Sequence, residues 1–168
     1  MSLDLNNIKE QIQTVLQASN TTTGSPIDLS VNLTTRVQQI LKTDLERIPI
    51  QPSFFPAITC WVDSKTIEAD SMARNASNAQ RKAEIDVKVA GVIWNSNFAT
   101  VDEDPADEDI ENLMENIEEV LRSNHTLNNA VLWAFPDEVK YFSSGVDEQT
   151  HFRIGIMNLK MTVYYRGV

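Results

Sequence analysis

Two histidines, one cysteine and a crowd of carboxylates are the groups in this chain with the chemistry to act on a molecule. A zinc hydrolase would place two histidines one helical turn apart with a glutamate beside the first. His125 and His151 have no such companion, so surface or capping roles suit them better. Cys60 lies in the apolar run of residues 57–67, where a thiol packs as a small hydrophobe rather than attacking a substrate. A single cysteine also makes no internal disulfide and no zinc cluster. Asp102 and Asp104 imitate the first ligands of a calcium loop, but the loop glycine and the closing glutamate are missing at their offsets. Gly91 stands alone in an apolar stretch, and no glycine-rich phosphate loop is present. These residue types predict no catalytic turnover, no metal and no cofactor. The remaining enzymatic or ligand-binding option is a pocket around Trp61, Trp94 and Trp133, residues more often found in a core.

The carboxylates are unevenly spread. The chain has 168 residues with 14 Lys plus Arg against 24 Asp plus Glu, a net charge of −10. Ten of those acids fall between Asp102 and Glu119, and no Lys or Arg occurs from Val89 to Leu121. Elsewhere acids and bases balance. Glu111, Glu115 and Glu119 recur every four residues, a spacing that costs a helix about 0.2–0.5 kcal/mol per pair. Such a face is either a solvated surface that aids solubility, or one meant for a basic neighbour or for holding DNA phosphates at a distance. Sequence-reading of nucleic acid is opposed by the charge, and the aromatics do not interleave with a basic run. The longest apolar stretch, Ala130 to Phe135, is far below the roughly 20 residues that cross a bilayer, so no membrane partner is expected. The first residues do not read as a secretory signal, and a reducing cytoplasm is the expected setting.

The elements that would position these groups follow from periodicity. Leu5, Ile8, Ile12, Val15 and Leu16 share one face of a helix from about Asp4 to Ala18. Turn-forming residues from Ser19 to Pro26 end it. Residues 29–45 fit both a strand and a helix, and a mixed element with a short strand or turn of helix before Pro49 is expected. Pro49, Pro52 and Pro56 make residues 48–56 irregular. Ala57 to Ile67 then reads as a strand with both faces at least partly covered. The clearest alternation puts Ala83, Ile85, Val87, Val89 and Gly91 on a core face, with Glu84, Asp86, Lys88 and Ala90 on a wet one. Asp104 as N-cap, Pro105 at the first position and Asp107, Glu108 and Asp109 in the first turn start a helix. Its stripe is Ile110, Leu113, Met114, Ile117, Val120 and Leu121, and Arg122 with Asn124 closes it. Strands from Ala130 to Phe142, interrupted near Pro136, and from His151 to Arg166 complete the chain.

Two hairpins flanking one helix predict a single α+β domain over residues 1–168, with a largely antiparallel sheet packed on helices, a β-β-α-β-β core and an N-terminal helix. The first hairpin carries the small, polar connection of residues 68–82, either a mobile loop or an arm that orders on a partner. Arg74, Arg81 and Lys82 make it basic, and Lys160 and Arg166 repeat that sign on the last strand. A basic arm meeting the acidic helix of an identical subunit would be a heterologous contact that closes into a ring. The candidate interface residues are Arg74, Arg81, Lys82, Glu108, Glu111, Glu115, Lys160 and Arg166.

Four stretches together resemble the tail terminator, or tail completion and neck, proteins of tailed bacteriophages. They are "FFPAITCWV" from Phe54, "RKAEIDVKVAGVIW" from Arg81, "DEDIENLMENIEEVLRSNHTLNN" from Asp107 and "FRIGIMNLKMTVYYR" from Phe152. None is a catalytic fingerprint, so the resemblance rests on their order and spacing over roughly residues 50 to 166. It implies a mixed α/β subunit that forms a hexameric ring in the virion, assembled in the host cytoplasm, without cofactor or turnover. The implied partners are further copies of the chain, the tail tube protein, a head-tail connector or stopper protein, and DNA passing through the lumen without sequence-specific binding. A connector-side stopper or a tube-like subunit is the neighbouring alternative.

Overall fold

The computed structural model describes residues 3–20, 28–68, 80–95, 105–145 and 151–166. Asp4 starts the first helix, α1 (Leu5–Ala18), as its carboxylate accepts from the N–H groups of Asn6 and Asn7 at 3.0 and 3.1 Å. Ile8, Ile12, Val15 and Leu16 bury the predicted face. The ambiguous segment after it resolves as a mixture, with a three-residue strand β1 (Gln39–Leu41) and 3-10 turns at Leu45–Arg47 and Pro52–Phe54. Then come β2 (Ala57–Glu68), β3 (Gln80–Asn95), α2 (Pro105–Ser123), β4 (Trp133–Gly145) and β5 (His151–Arg166).

These strands form one five-stranded sheet in the order β1-β2-β3-β5-β4. All neighbours are antiparallel except β1 and β2, which run parallel. The fold is α+β with an N-terminal helix, as the pattern of elements predicts. Both helices lie on one side of the sheet. There α2 inserts Ile110, Leu113, Met114, Ile117, Val120 and Leu121 against Ile85, Val87, Val89, Met157 and Leu159, all buried. Gly91 and Gly155 are partners across β3 and β5, and together they notch the sheet beneath α2. A Cβ on Gly91 would lie 2.8 Å from Leu113 Cδ2, and one on Gly155 2.8 Å from Met114 Sδ. Hydrogen at these two positions lets the helix seat at its observed depth. Gly91 is therefore half of a packing device.

The other side of the sheet is divided. Toward one end Phe55, Trp94 and Phe152 cluster with ring centroids 5.0–5.7 Å apart, over Val92 and Ala57. Ala90, expected on the wet face, is fully buried beside its partner Thr59, whose hydroxyl donates to the Thr43 carbonyl. The irregular segment 44–56 folds over this end, a tertiary cover that alternation within one strand does not encode. Toward the other end Ser64, Thr66, Glu84 and Asp86 remain at the surface.

Three expectations shift in position. The strand expected from Ala130 begins at Trp133, because residues 124–130 form turns in which Leu127, Asn128 and Asn129 take φ of 45°, 56° and 66°. It runs through Pro136 to Gly145, with a register shift between Pro136 and Val139 absorbing the missing donor. In the first hairpin, Glu68 pairs in register with Lys82, so residues 68 and 80–82 are strand. The rest of the expected arm, and Asp104 with its capping role, lie outside the described residues.

Candidate assembly surfaces

Among the described residues the sheet order leaves two margins open. On one side β1 covers only Ala57–Thr59 of β2, so no described strand pairs with the outer side of β2 from Cys60 to Glu68. On the other side β4 is the last strand. Its first part is closed off: the Ala134 N–H donates to the His125 carbonyl at 2.6 Å, and Pro136 has no N–H to offer. From Val139 to Gly145 no described strand covers it. This margin is also aromatic. Trp133, Phe135, Tyr141 and Phe142 are 48%, 39%, 50% and 50% exposed. Charged side chains, proline or a covering segment are the usual protection of an edge strand, and large exposed apolar groups invite pairing.

The two faces of β4 have different neighbours, with acids on both. Tyr141 pairs with Gly155 and so points to the helix side, beside the outward row of α2. Burial raises its phenol above the ordinary range, and Glu111, Glu115 and Glu118 raise it further. Arg122 lies 5.1 Å above the Phe135 ring while bonding Glu118 at 2.6 Å. Trp133 and Phe135 meet at a tilt with ring centroids 5.7 Å apart, and they border an open groove of about 350 Å³ with Glu84, Asp86 and Lys160.

The candidate interface residues do not converge on one patch. Glu108, Glu111 and Glu115 lie exposed along α2, as their spacing predicts. Arg81 and Lys82 project to opposite faces of β3, since their partners are the adjacent residues Tyr165 and Tyr164 of β5. Lys82 is engaged within the chain by Glu84 at 2.7 Å and Glu68 at 3.3 Å, and these hydrogen bonds raise its pKa. Lys160 bonds Asp137 at 2.6 Å. Arg74 and the side chain of Arg166 lie outside the described residues.

Sequence reasoning missed Asp109. Its place in the first turn suggests a dipole-favoured acid, but it is buried and accepts from the Thr34 N–H at 3.0 Å and its hydroxyl at 3.2 Å, tying the 28–37 segment to α2. It also missed the aromatic edge, because neither exposure nor strand order is written in a run such as Tyr141-Phe142.

The tryptophans do not share a pocket. Trp94 sits in the aromatic cluster and lines one groove, Trp133 lines another on the β4 margin, and Trp61 lines neither. Burial pushes the Cys60 thiol up to about 11, with Lys9 and Lys42 opposing that rise, which leaves it a poor nucleophile. Among the described residues no three His, Cys, Asp or Glu side chains are grouped to hold a metal, and no described helix is long and apolar enough to cross a membrane. No family model matches the chain, and no curated protein matches it.

Proposed function

We propose that this chain is a structural subunit of the head-to-tail junction of a tailed bacteriophage, closing the end of the tail tube as a ring and joining it to the head connector. The observation that carries the reading is the pair of open sheet margins on opposite sides of one small domain, one of them bearing four exposed aromatics. Surfaces of that kind serve association, and two unlike margins on one chain give a heterologous contact, which forms a ring where the rotation from copy to copy closes and an open filament where it does not. The resemblance of residues 50–166 to tail terminators supplies the setting and the expected six copies. In that setting an acidic helix face at the lumen, with Glu108, Glu111 and Glu115, would repel DNA phosphates and keep them from adhering during transit.

Electron micrographs of the chain mixed with polymerised tail tubes test this. Rings should cap one end of each tube and stop its further growth. Tubes left bare and still growing would overturn the reading. Binding to isolated connectors alone would make the chain a connector-side stopper, and self-polymerisation into tubes would make it a tube subunit.

A further inference from the structure

We infer that the open stretch of β4 in one copy, residues 139–145, adds as an antiparallel strand to the open stretch of β2 in the next copy, residues 61–68. The inference deepens the ring reading and takes from it only that the occupant is a second copy.

Strand direction comes first. β2 is antiparallel to β3, β3 to β5 and β5 to β4, so β2 and β4 run in opposite directions. Two copies set side by side in the same orientation therefore continue the antiparallel alternation, with both helix layers on the same side of the joined sheet.

Charge decides between partners. Lys65 and Ile67 pair with the core residues Ile85 and Ala83, so both face the helix side at the β2 margin. Both are exposed, Ile67 by 46%, and Lys65 makes no ion pair among the described residues. In the like-oriented arrangement they come beside Tyr141 of the neighbour and the Glu111, Glu115 and Glu118 row that acts on it. Lysine meets carboxylates, and isoleucine meets an aromatic edge. The competing antiparallel two-fold joins β4 to β4. It would bring two acidic α2 rows together on one face, and like charges across an interface are penalised.

Register adds a geometric consequence. Tyr141 is level with Gly155, Gly91 and Ile58, where β1 already covers β2. The neighbour must slide along the strand until its uncovered part is reached, an offset of roughly 20 Å at about 3.4 Å per residue. A closed ring with such an offset needs strands inclined to its axis, as in a barrel.

One-sided variants test the pairing. Tyr141→Asp with Phe142→Asp disables the β4 margin, and Lys65→Asp with Ile67→Asp disables the β2 margin. All four positions are exposed, and melting curves of each variant check that it folds. Sedimentation should show each variant monomeric alone and a one-to-one heterodimer in the mixture, joined through the margin each retains. In a separate chain, Lys65→Glu should weaken self-association roughly tenfold, and adding Glu115→Lys should restore it. A β2-disabled variant that self-associates like the unaltered chain would overturn the inference in favour of the two-fold pairing. An unaltered chain that stays monomeric at every concentration would also overturn it, while tube capping in micrographs would show that the functional reading survives.

Discussion

The two sides of the sheet solve the same problem differently. The helix side is a continuous core, closed by two amphipathic helices and a glycine notch. Among the described residues the reverse side is closed only at one end, by the aromatic cluster of Phe55, Trp94 and Phe152 under segment 44–56. Its other half keeps Glu84, Asp86 and Thr66 in water, with Trp133 and Phe135 exposed at the rim. The contrast separates stability from exposed surface: one side has the packing that holds the chain together, while the margins and the open half stay exposed, and in the proposed ring they would meet neighbours.

That contrast breaks most sharply under truncation. Leu113→Ala, at a fully buried position, should cost about 2–5 kcal/mol in denaturant unfolding, whereas Thr66→Ala on the open half should stay within about 0.5 kcal/mol. Equal costs at the two sites would erase the distinction. Filling the notch is the next test. Gly155→Val forces Met114 and the helix away from the sheet and should cost about 1–3 kcal/mol, read as a lowered melting temperature, with the aromatic cluster's near-ultraviolet signal retained.

The smallest effect concerns acid. Burial alone would raise the Asp28 carboxyl, but two hydrogen bonds from Arg36 at 3.0 and 3.1 Å and one from the Ser30 N–H at 3.0 Å hold it below the ordinary range. A carboxyl whose folded pKa is depressed adds stability above its unfolded value, about 3.9, and loses it as pH falls through the folded value. Melting temperatures taken below about pH 4 should therefore fall less steeply for Asp28→Asn than for the unaltered chain. Arg36 is partly exposed, so added salt should shrink the difference.

Periodicity makes the helix side legible in the sequence. The stripe of α2, the face of α1 and the alternation of β3 each name a core surface, and those surfaces meet as expected. The reverse side was less legible because its cover comes from residues 44–56, brought there by a chain path with no period of its own. Ala90 shows the point: its neighbours Lys88 and Asp86 are polar, yet it is buried by a segment more than 30 residues away in sequence. The surfaces followed the same rule. Glu111 and Glu115 were readable from their four-residue spacing, since a charged row on an apolar-striped helix must face outward. Tyr141 and Phe142 were not, because their exposure depends on β5 pairing between β3 and β4, an order that sequence adjacency does not suggest.

Whether this polypeptide acts by closing on copies of itself is tested most directly by its assembled mass, measured with and without tail tubes as concentration rises. The mass contributed by this chain, alone or bound to tubes, should plateau at one fixed multiple of 18.9 kDa, the mark of a closed ring. A mass that remains at that of one chain under both conditions, or that grows without limit, would contradict it.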